Sequence, residues 1–233
     1  MTLFKVTSIV ITFNLDISEI IEEAFERCGL QLRTGYDMKT ATRSLNLLTI
    51  EWANRGLNFW TVEQVSTTLT SGVSSLTLPS DTVDIIEHWI RTGTGTDQND
   101  LPLSRFSVSQ YSNIPNKNIT GRPVNIYVDK QRDAPVAYLW PVPDENYTFV
   151  YQKIRRIQDA GDTANLTTDA PFRFLPCLVA GLAYYISMKY PQAMDRAGML
   201  KAEYEFQWDL AQSEDRDRSS VRFVPGGYGS IYG

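Results

Sequence analysis

The sequence predicts an α+β fold: an antiparallel helical bundle body, an inserted antiparallel β domain and an extended C-terminal tail. Three observations lead to this prediction. Apolar residues recur at helical spacing near both ends of the chain, alternate with polar residues through its middle, and give way to glycine and proline at its end. We therefore predict an N-terminal arm or strand over residues 1–15, a helical body over 16–59 and 165–215, the β domain over 60–160, and the tail over 216–233.

Two amphipathic helices are predicted to open the body. The first follows a capping residue, Asp16 or Ser18, and stops at Gly29. The second runs from Met38 to Asn54, and the short link between them implies an antiparallel pair. Apolar residues at i, i+3, i+4 and i+7 spacing predict their buried faces. These are Ile17, Ile20, Ile21, Ala24, Phe25 and Cys28 in the first helix, and Ala41, Leu45, Leu48 and Trp52 in the second.

The middle of the chain has a period of two, which is typical of strands. Residues 61–79 predict a hairpin that turns at 70–72, residues 83–92 predict a further strand, and residues 123–157 hold three β-rich runs. Residues 102–114 predict one short helix within this region.

Two further helices are predicted after the β domain. Pro176 marks the irregular start of one, and Pro191 opens the other. Their predicted buried faces are Leu178, Val179, Leu182, Ala183 and Ile186, then Ala193, Ala197, Leu200, Tyr204, Trp208 and Ala211.

Composition narrows the functional class. A net charge of −5 argues against a general nucleic-acid binder, because tight phosphate binding needs clustered cations. The longest apolar run, residues 174–188, is too short to span a bilayer, so no membrane partner is expected. The N-terminal residues favour an arm or strand, with a signal peptide as the alternative. Cys28 and Cys177, in separate helical patterns, predict two reduced core thiols.

No catalytic or metal-binding constellation is apparent. His88 is the only histidine, and it lies in a strand pattern without a visible catalytic partner. One histidine and two distant cysteines do not supply a metal site. The GTGTD sequence at Gly93–Asp97 lacks the lysine of a phosphate-binding loop. The sequence therefore predicts a protein that is not an enzyme and needs no cofactor.

Two charged groups have alternative interpretations. Glu19, Glu22, Glu23 and Glu26 lie on the polar side of the first helix, either as a solvated face or as an acidic wall opposite something negative. The basic run Lys153–Arg156 is either a solvated strand end or a contact for phosphate or a partner's acids.

The aromatic residues of the β region, including Trp89, Tyr138 and Trp140, are either core or a protein interface.

Three segments carry a family resemblance. ATRSLNLLTIEWANRGLNFWTVEQVSTTL, from Ala41 to Leu69, resembles the phage tail tubular protein A family and related podophage head-to-tail adaptors. YLWPVPDENYTFVYQKI, from Tyr138 to Ile154, is similar to the strand pair that closes the β insertion of such adaptors. FLPCLVAGLAYYISMKY resembles their third helix. The resemblance rests on the order of these segments and covers most of residues 16–210.

The resemblance implies a structural virion protein. Adaptors of this kind form a ring, commonly a dodecamer, beneath the portal of a short-tailed phage and carry the tail nozzle. Their channel passes the genome during packaging and ejection without specific DNA binding. The implied partners are then the portal protein, the nozzle protein and further copies of this chain, which would be made in the host cytoplasm. The alternative is a non-enzymatic module whose β domain recognises a peptide or small ligand.

Site residues follow from this implied function. Glu19, Glu22, Glu23 and Glu26 are candidates for an acidic channel lining, and small residues such as Ala180, Gly181 and Ala183 would let helices approach closely. Candidates for contact with the nozzle or a neighbouring subunit are Trp89, Tyr138, Trp140, Arg155 and Arg156.

The C-terminal sequence RFVPGGYGSIYG is predicted to bind the portal. Its glycines and proline disfavour a helix, and its apolar residues are unusual for a solvated tail. Family members commonly grip the portal with a C-terminal extension, and strand addition would satisfy such a peptide's main chain. The candidate portal-binding residues are Arg222, Phe223, Val224, Pro225, Tyr228, Ile231 and Tyr232.

Overall fold

The computed structural model describes residues 15–56, 59–160 and 167–214, which form an α+β structure, as predicted. Nearly all of the predicted arm and the whole predicted tail over 216–233 lie outside these residues. The helices are α1 (Ile17–Arg27), α2 (Gly35–Arg55), α3 (Val108–Ser112), α4 (Leu175–Ser187) and α5 (Ala197–Glu214). The strands are β1 (Val62–Leu69), β2 (Ser75–Thr77), β3 (Thr82–Thr92), β4 (Asn99–Pro102), β5 (Ser104–Arg105), β6 (Asn125–Asp129), β7 (Val136–Trp140) and β8 (Tyr147–Arg155).

Helix α4 is the centre of the helical part. It packs against α1, α2 and α5, and it is apolar on nearly every side, as a helix surrounded by others must be. Gly181 permits a close approach of α2 and α5, because a Cβ atom there would lie 2.8 Å from Tyr204 Cε2 and 2.9 Å from the Leu48 methyl carbons. The apolar faces predicted for α1, α2 and α4 are buried in this cluster.

The local structure at the helix N-termini explains why two helices begin at other residues than predicted. The Asp16 carboxylate accepts a hydrogen bond from the Glu19 backbone, and the Glu19 carboxylate accepts one from the Asp16 backbone, which starts α1. An equivalent box between Thr34 and Asp37 starts α2 at Gly35, earlier than the predicted Met38. The last helix also begins elsewhere than predicted, because Pro191–Arg196 forms a 3₁₀ turn and regular helix starts only at Ala197.

The strands form two four-stranded sheets. Their orders are β1-β8-β3-β4 and β2-β7-β6-β5, and every pair is antiparallel except β5 with β6. Apolar residues of both sheets pack into one cluster, separate from the helical one. The first sheet contributes Leu69, Ile85, Ile90, Phe149 and Tyr151, and the second contributes Ile126, Val128, Ala137 and Leu139.

The predicted hairpin over residues 61–79 is wrong. The chain does turn there, with the Val73 backbone donating to the Thr70 carbonyl, but β1 pairs with β8 and β2 pairs with β7. The Gly72 backbone N–H donates to the Pro143 carbonyl at 2.8 Å, so the connection between β1 and β2 lies against the connection between β7 and β8. Each of these connections leads from one sheet to the other. For the same reason β7 and β8 are not the strand pair that the resemblance implied. The short helix predicted over 102–114 is confined to α3, with β5 before it.

Candidate functional site

The four predicted channel glutamates line one groove, which we call the acidic groove. It lies between α1 and the start of α4 and has a volume of about 590 Å³. Glu19, Glu22, Glu23 and Glu26 line it together with Arg27. Its apolar lining consists of Leu15, Leu175, Pro176 and Val179, together with Phe172, whose side chain is 74% exposed.

The carboxylates of the acidic groove differ in how they are held. Glu19 is fixed by the capping box with Asp16, and Glu23 accepts a hydrogen bond from Arg27 Nε at 2.9 Å. Glu22 and Glu26 are exposed and form no ion pair with any residue that the structure describes. The groove therefore presents more negative than positive charge, which repels phosphate and favours cationic or apolar groups.

The predicted basic run is largely engaged within the protein. Arg155 forms a bidentate ion pair with Asp169 and a further one with Glu63, and its side chain is 13% exposed. Lys153 is also buried, with its ammonium 2.7 Å from an Asp81 carboxylate oxygen. Arg156 is more exposed and pairs with Asp159. Of these three cations, Arg156 is the one best placed to meet a partner.

The predicted aromatic contacts lie on the second sheet and on β3. Tyr138 stacks with Tyr127 at 6.0 Å between ring centroids, and Tyr111 of α3 covers both rings. Trp140 is half-buried and its Nε1 donates to the Asn116 carbonyl at 3.2 Å. Trp89 of β3 is half-buried, in register with Pro102 of β4. These rings pack within the chain, yet each leaves part of its surface exposed.

His88 is buried in β3, and its surroundings favour the neutral ring. Burial, and secondarily the positive charge of Arg105, lowers the pKa of His88 below its ordinary value. Over the three described ranges, no group of three or more His, Cys, Asp or Glu side chains is arranged to hold a metal ion. No helix in those ranges is long and apolar enough to cross a bilayer.

Two exposed apolar faces were missed by the sequence interpretation. On α2, Leu47 and Ile50 point away from the core, and on α5, Met199, Phe206 and Leu210 do the same. The signal was present as a second apolar stripe, half a turn from the buried one, in each helix. It was overlooked because one apolar stripe is enough to explain why a helix packs on a core.

One protein-family model matches most of the chain. The family model described as SU10 adaptor protein matches residues 15–226, which span the helices, both sheets and the start of the predicted tail. No curated protein matches the chain. The seven predicted portal-binding residues, Arg222 to Tyr232, lie outside the residues that the structure describes.

Proposed function

We propose that this chain forms a ring between the portal and the tail nozzle of a phage. The chain belongs to the SU10 adaptor protein family of phage head-to-tail adaptors. Family membership makes the protein a structural component of the virion neck that interacts with other neck components. The single observation that carries the proposal is the length of the match, 212 residues from 15 to 226, which includes both the helical and the β segments.

The helical segments would form the body of the ring, which we expect to be a dodecamer. In this arrangement residues 16–59 and 165–215 are one domain, and residues 60–160 are a β domain that projects from it. The acidic groove would face the channel of a short-tailed phage. Glu22 and Glu26, which pair with no cation among the described residues, would keep DNA from adhering during packaging and ejection, because like charges repel across a narrow lumen.

The β domain would contact the nozzle or the neighbouring subunit. The exposed parts of Trp89, Tyr138 and Trp140 supply aromatic surface, which is enriched at protein interfaces. Arg156 adds a cation at the rim. Arg155 would act indirectly, because its ion pair with Asp169 links the end of β8 to the segment that leads into α4.

The C-terminal tail would bind the portal by adding its main chain to an edge strand, with Phe223, Tyr228 and Ile231 filling pockets. Many tails acting from one ring would multiply a weak individual affinity.

Deleting residues 222–233 tests the tail assignment. We expect the truncated chain to keep the helical circular-dichroism signal and melting temperature of the full chain, but to lose co-sedimentation with the cognate portal. A matched control carries Ser219→Ala and Ser220→Ala just before the deleted segment, and we expect it to bind the portal normally. Unchanged portal binding by the truncated chain would contradict the tail assignment.

A further inference from the structure

Helix α5 has an exposed apolar face on the side away from the protein core. Met199, Phe206 and Leu210 are 64%, 57% and 49% exposed. They lie at i, i+7 and i+11, so they share one face of the helix, where the exposed Glu203 occupies the i+4 position between Met199 and Phe206. We call these three residues the α5 stripe. Surface apolar residues are ordinary when scattered, but three large exposed ones on one face of a long helix are typical of a contact surface.

Helix α2 has a second such face. Leu47 and Ile50 are 51% and 44% exposed, and Tyr36, which is 75% exposed, lies on the same side about three turns before Leu47. The cations Lys39 and Arg43 lie on this side as well, and both are exposed. We call these five residues the α2 stripe.

The two stripes point in opposite directions. The inner sides of α2 and α5 meet where Trp52 Nε1 donates to the Tyr204 hydroxyl at 3.2 Å and where the Trp52 and Trp208 rings lie 6.2 Å apart. Ile50 lies two residues from Trp52, and Phe206 lies two residues from both Tyr204 and Trp208. Two residues correspond to about 200° around a helix, so each stripe faces away from the other helix.

The stripes also differ in charge. The exposed acid Glu203 lies within the α5 stripe, between Met199 and Phe206, and the exposed Asp209 lies beside it. The α2 stripe contains Lys39 and Arg43 instead. A symmetric contact between two α5 stripes would bring like charges together, and so would one between two α2 stripes. A contact between an α5 stripe and an α2 stripe joins opposite charges around an apolar centre, which is the pattern that selects a specific partner.

We propose that the α5 stripe of one copy of this chain packs on the α2 stripe of the next copy. Stripes that are complementary and lie on opposite sides of one subunit give a head-to-tail contact, which closes into a ring when the rotation per subunit allows it. The inference rests on the proposed function for the closure of that ring, whereas the contact itself is argued from the two stripes.

Cysteine cross-linking tests the contact directly. Leu47→Cys and Phe206→Cys are introduced together in the full chain, which is assembled with its portal and oxidised. We expect a ladder of covalent multimers, whereas each single variant stays monomeric and an equal mixture of the two singles stops at dimers. The native thiols do not compete, because burial raises the pKa of Cys28 to about 11 and that of Cys177 to about 12. A matched control pairs Phe206→Cys with Val83→Cys, an exposed position on β3, and should give no ladder.

A second pair of variants keeps the test independent of disulfide geometry. Leu47→Asp and Phe206→Asp each spoil one stripe, and exposed positions of this kind tolerate substitution without unfolding. We expect the ring population of each variant alone, measured by native mass spectrometry, to be at least tenfold lower than that of the wild type. Mixing them should produce a dimer, because one good α5 stripe then meets one good α2 stripe.

The outcomes separate this inference from the proposed function. A ring that forms without the Leu47–Phe206 ladder would overturn the contact and leave the adaptor function standing. Dimers from Phe206→Cys alone would show a symmetric contact and would also overturn the inference. A ladder in a chain that never joins the portal would support the contact and count against the adaptor function. A chain with neither ladder nor ring would overturn both.

Discussion

The helical and β parts of this protein are stabilised by different means. The helical cluster is built around one apolar helix, α4, and its stability depends on how closely α2 and α5 approach that helix at Gly181. The β part divides its apolar residues between two sheets and also buries two basic side chains, Lys153 and His88. The stability of the helical part should therefore respond mainly to changes in side-chain volume, and that of the β part also to changes in charge and pH.

The largest expected effect is a volume change at Gly181. Gly181→Val places branched carbons where Tyr204 and Leu48 already lie within 2.9 Å of a Cβ, so we expect a loss of about 3 kcal/mol in the free energy of unfolding. Urea denaturation followed by circular dichroism measures it. Gly198→Ala is the matched control, because no neighbouring side chain among the described residues lies within 4 Å of a Cβ at that site in α5, and alanine should stabilise the helix by up to about 1 kcal/mol. Equal stabilities for Gly181→Val and the wild type would refute close packing around α4.

The second-largest expected loss of stability follows from removing a charge in the β part. Lys153 is 5% exposed, and its Nζ lies 2.8 and 2.7 Å from the two carboxylate oxygens of Asp81. Asp81→Ala removes that partner and leaves Glu63 at 3.7 Å, so we expect a loss of about 1–2 kcal/mol, moderated because Asp81 itself is half-exposed. Asp133→Ala, which removes a fully exposed partner of Arg132, should leave the urea midpoint unchanged. If the two variants were equally stable, the buried cation would not depend on its partner.

The smallest effect is the pH dependence contributed by His88. Because burial lowers the pKa of His88 in the folded state, the unfolded chain binds a proton more readily between the folded pKa and the ordinary value near 6.5. This contribution to stability is therefore complete above pH 6.5 and is lost as the pH falls through the folded pKa. We expect the urea midpoint of the wild type to decline between pH 7.5 and 5.5 more steeply than that of His88→Gln. Parallel curves for the two proteins would show that His88 titrates normally.

The same contrast explains how much of the structure the sequence could predict. Helical faces such as that of Leu45, Leu48 and Trp52 depend on neighbours within a few residues, so their periodicity predicted the burial correctly. Strand pairing is set by distant residues: Val62 of β1 faces Ile154 of β8, and the intervening turn alone could not indicate that partner. The predicted hairpin failed for this reason, although its turn exists.

The candidate site shows the same limit. The four glutamates of α1 were identified from one helix, but the apolar lining that makes them a groove comes from α4 and from Phe172, which lie far along the chain. Arg155 is a candidate for contact with a partner because it lies in the basic run Lys153–Arg156. Its ion pair with Asp169 joins segments that no local pattern connects, so the sequence could not indicate it. The portal-binding role of residues 222–233 stays a prediction.

The measurement that tests the central claim most directly is electron cryo-microscopy of the full chain mixed with its cognate portal protein. We predict a ring of copies coaxial with the portal channel, with the glutamates of α1 facing the lumen and the C-terminal residues in contact with the portal. A chain that remains monomeric and unattached to portals would contradict the adaptor function.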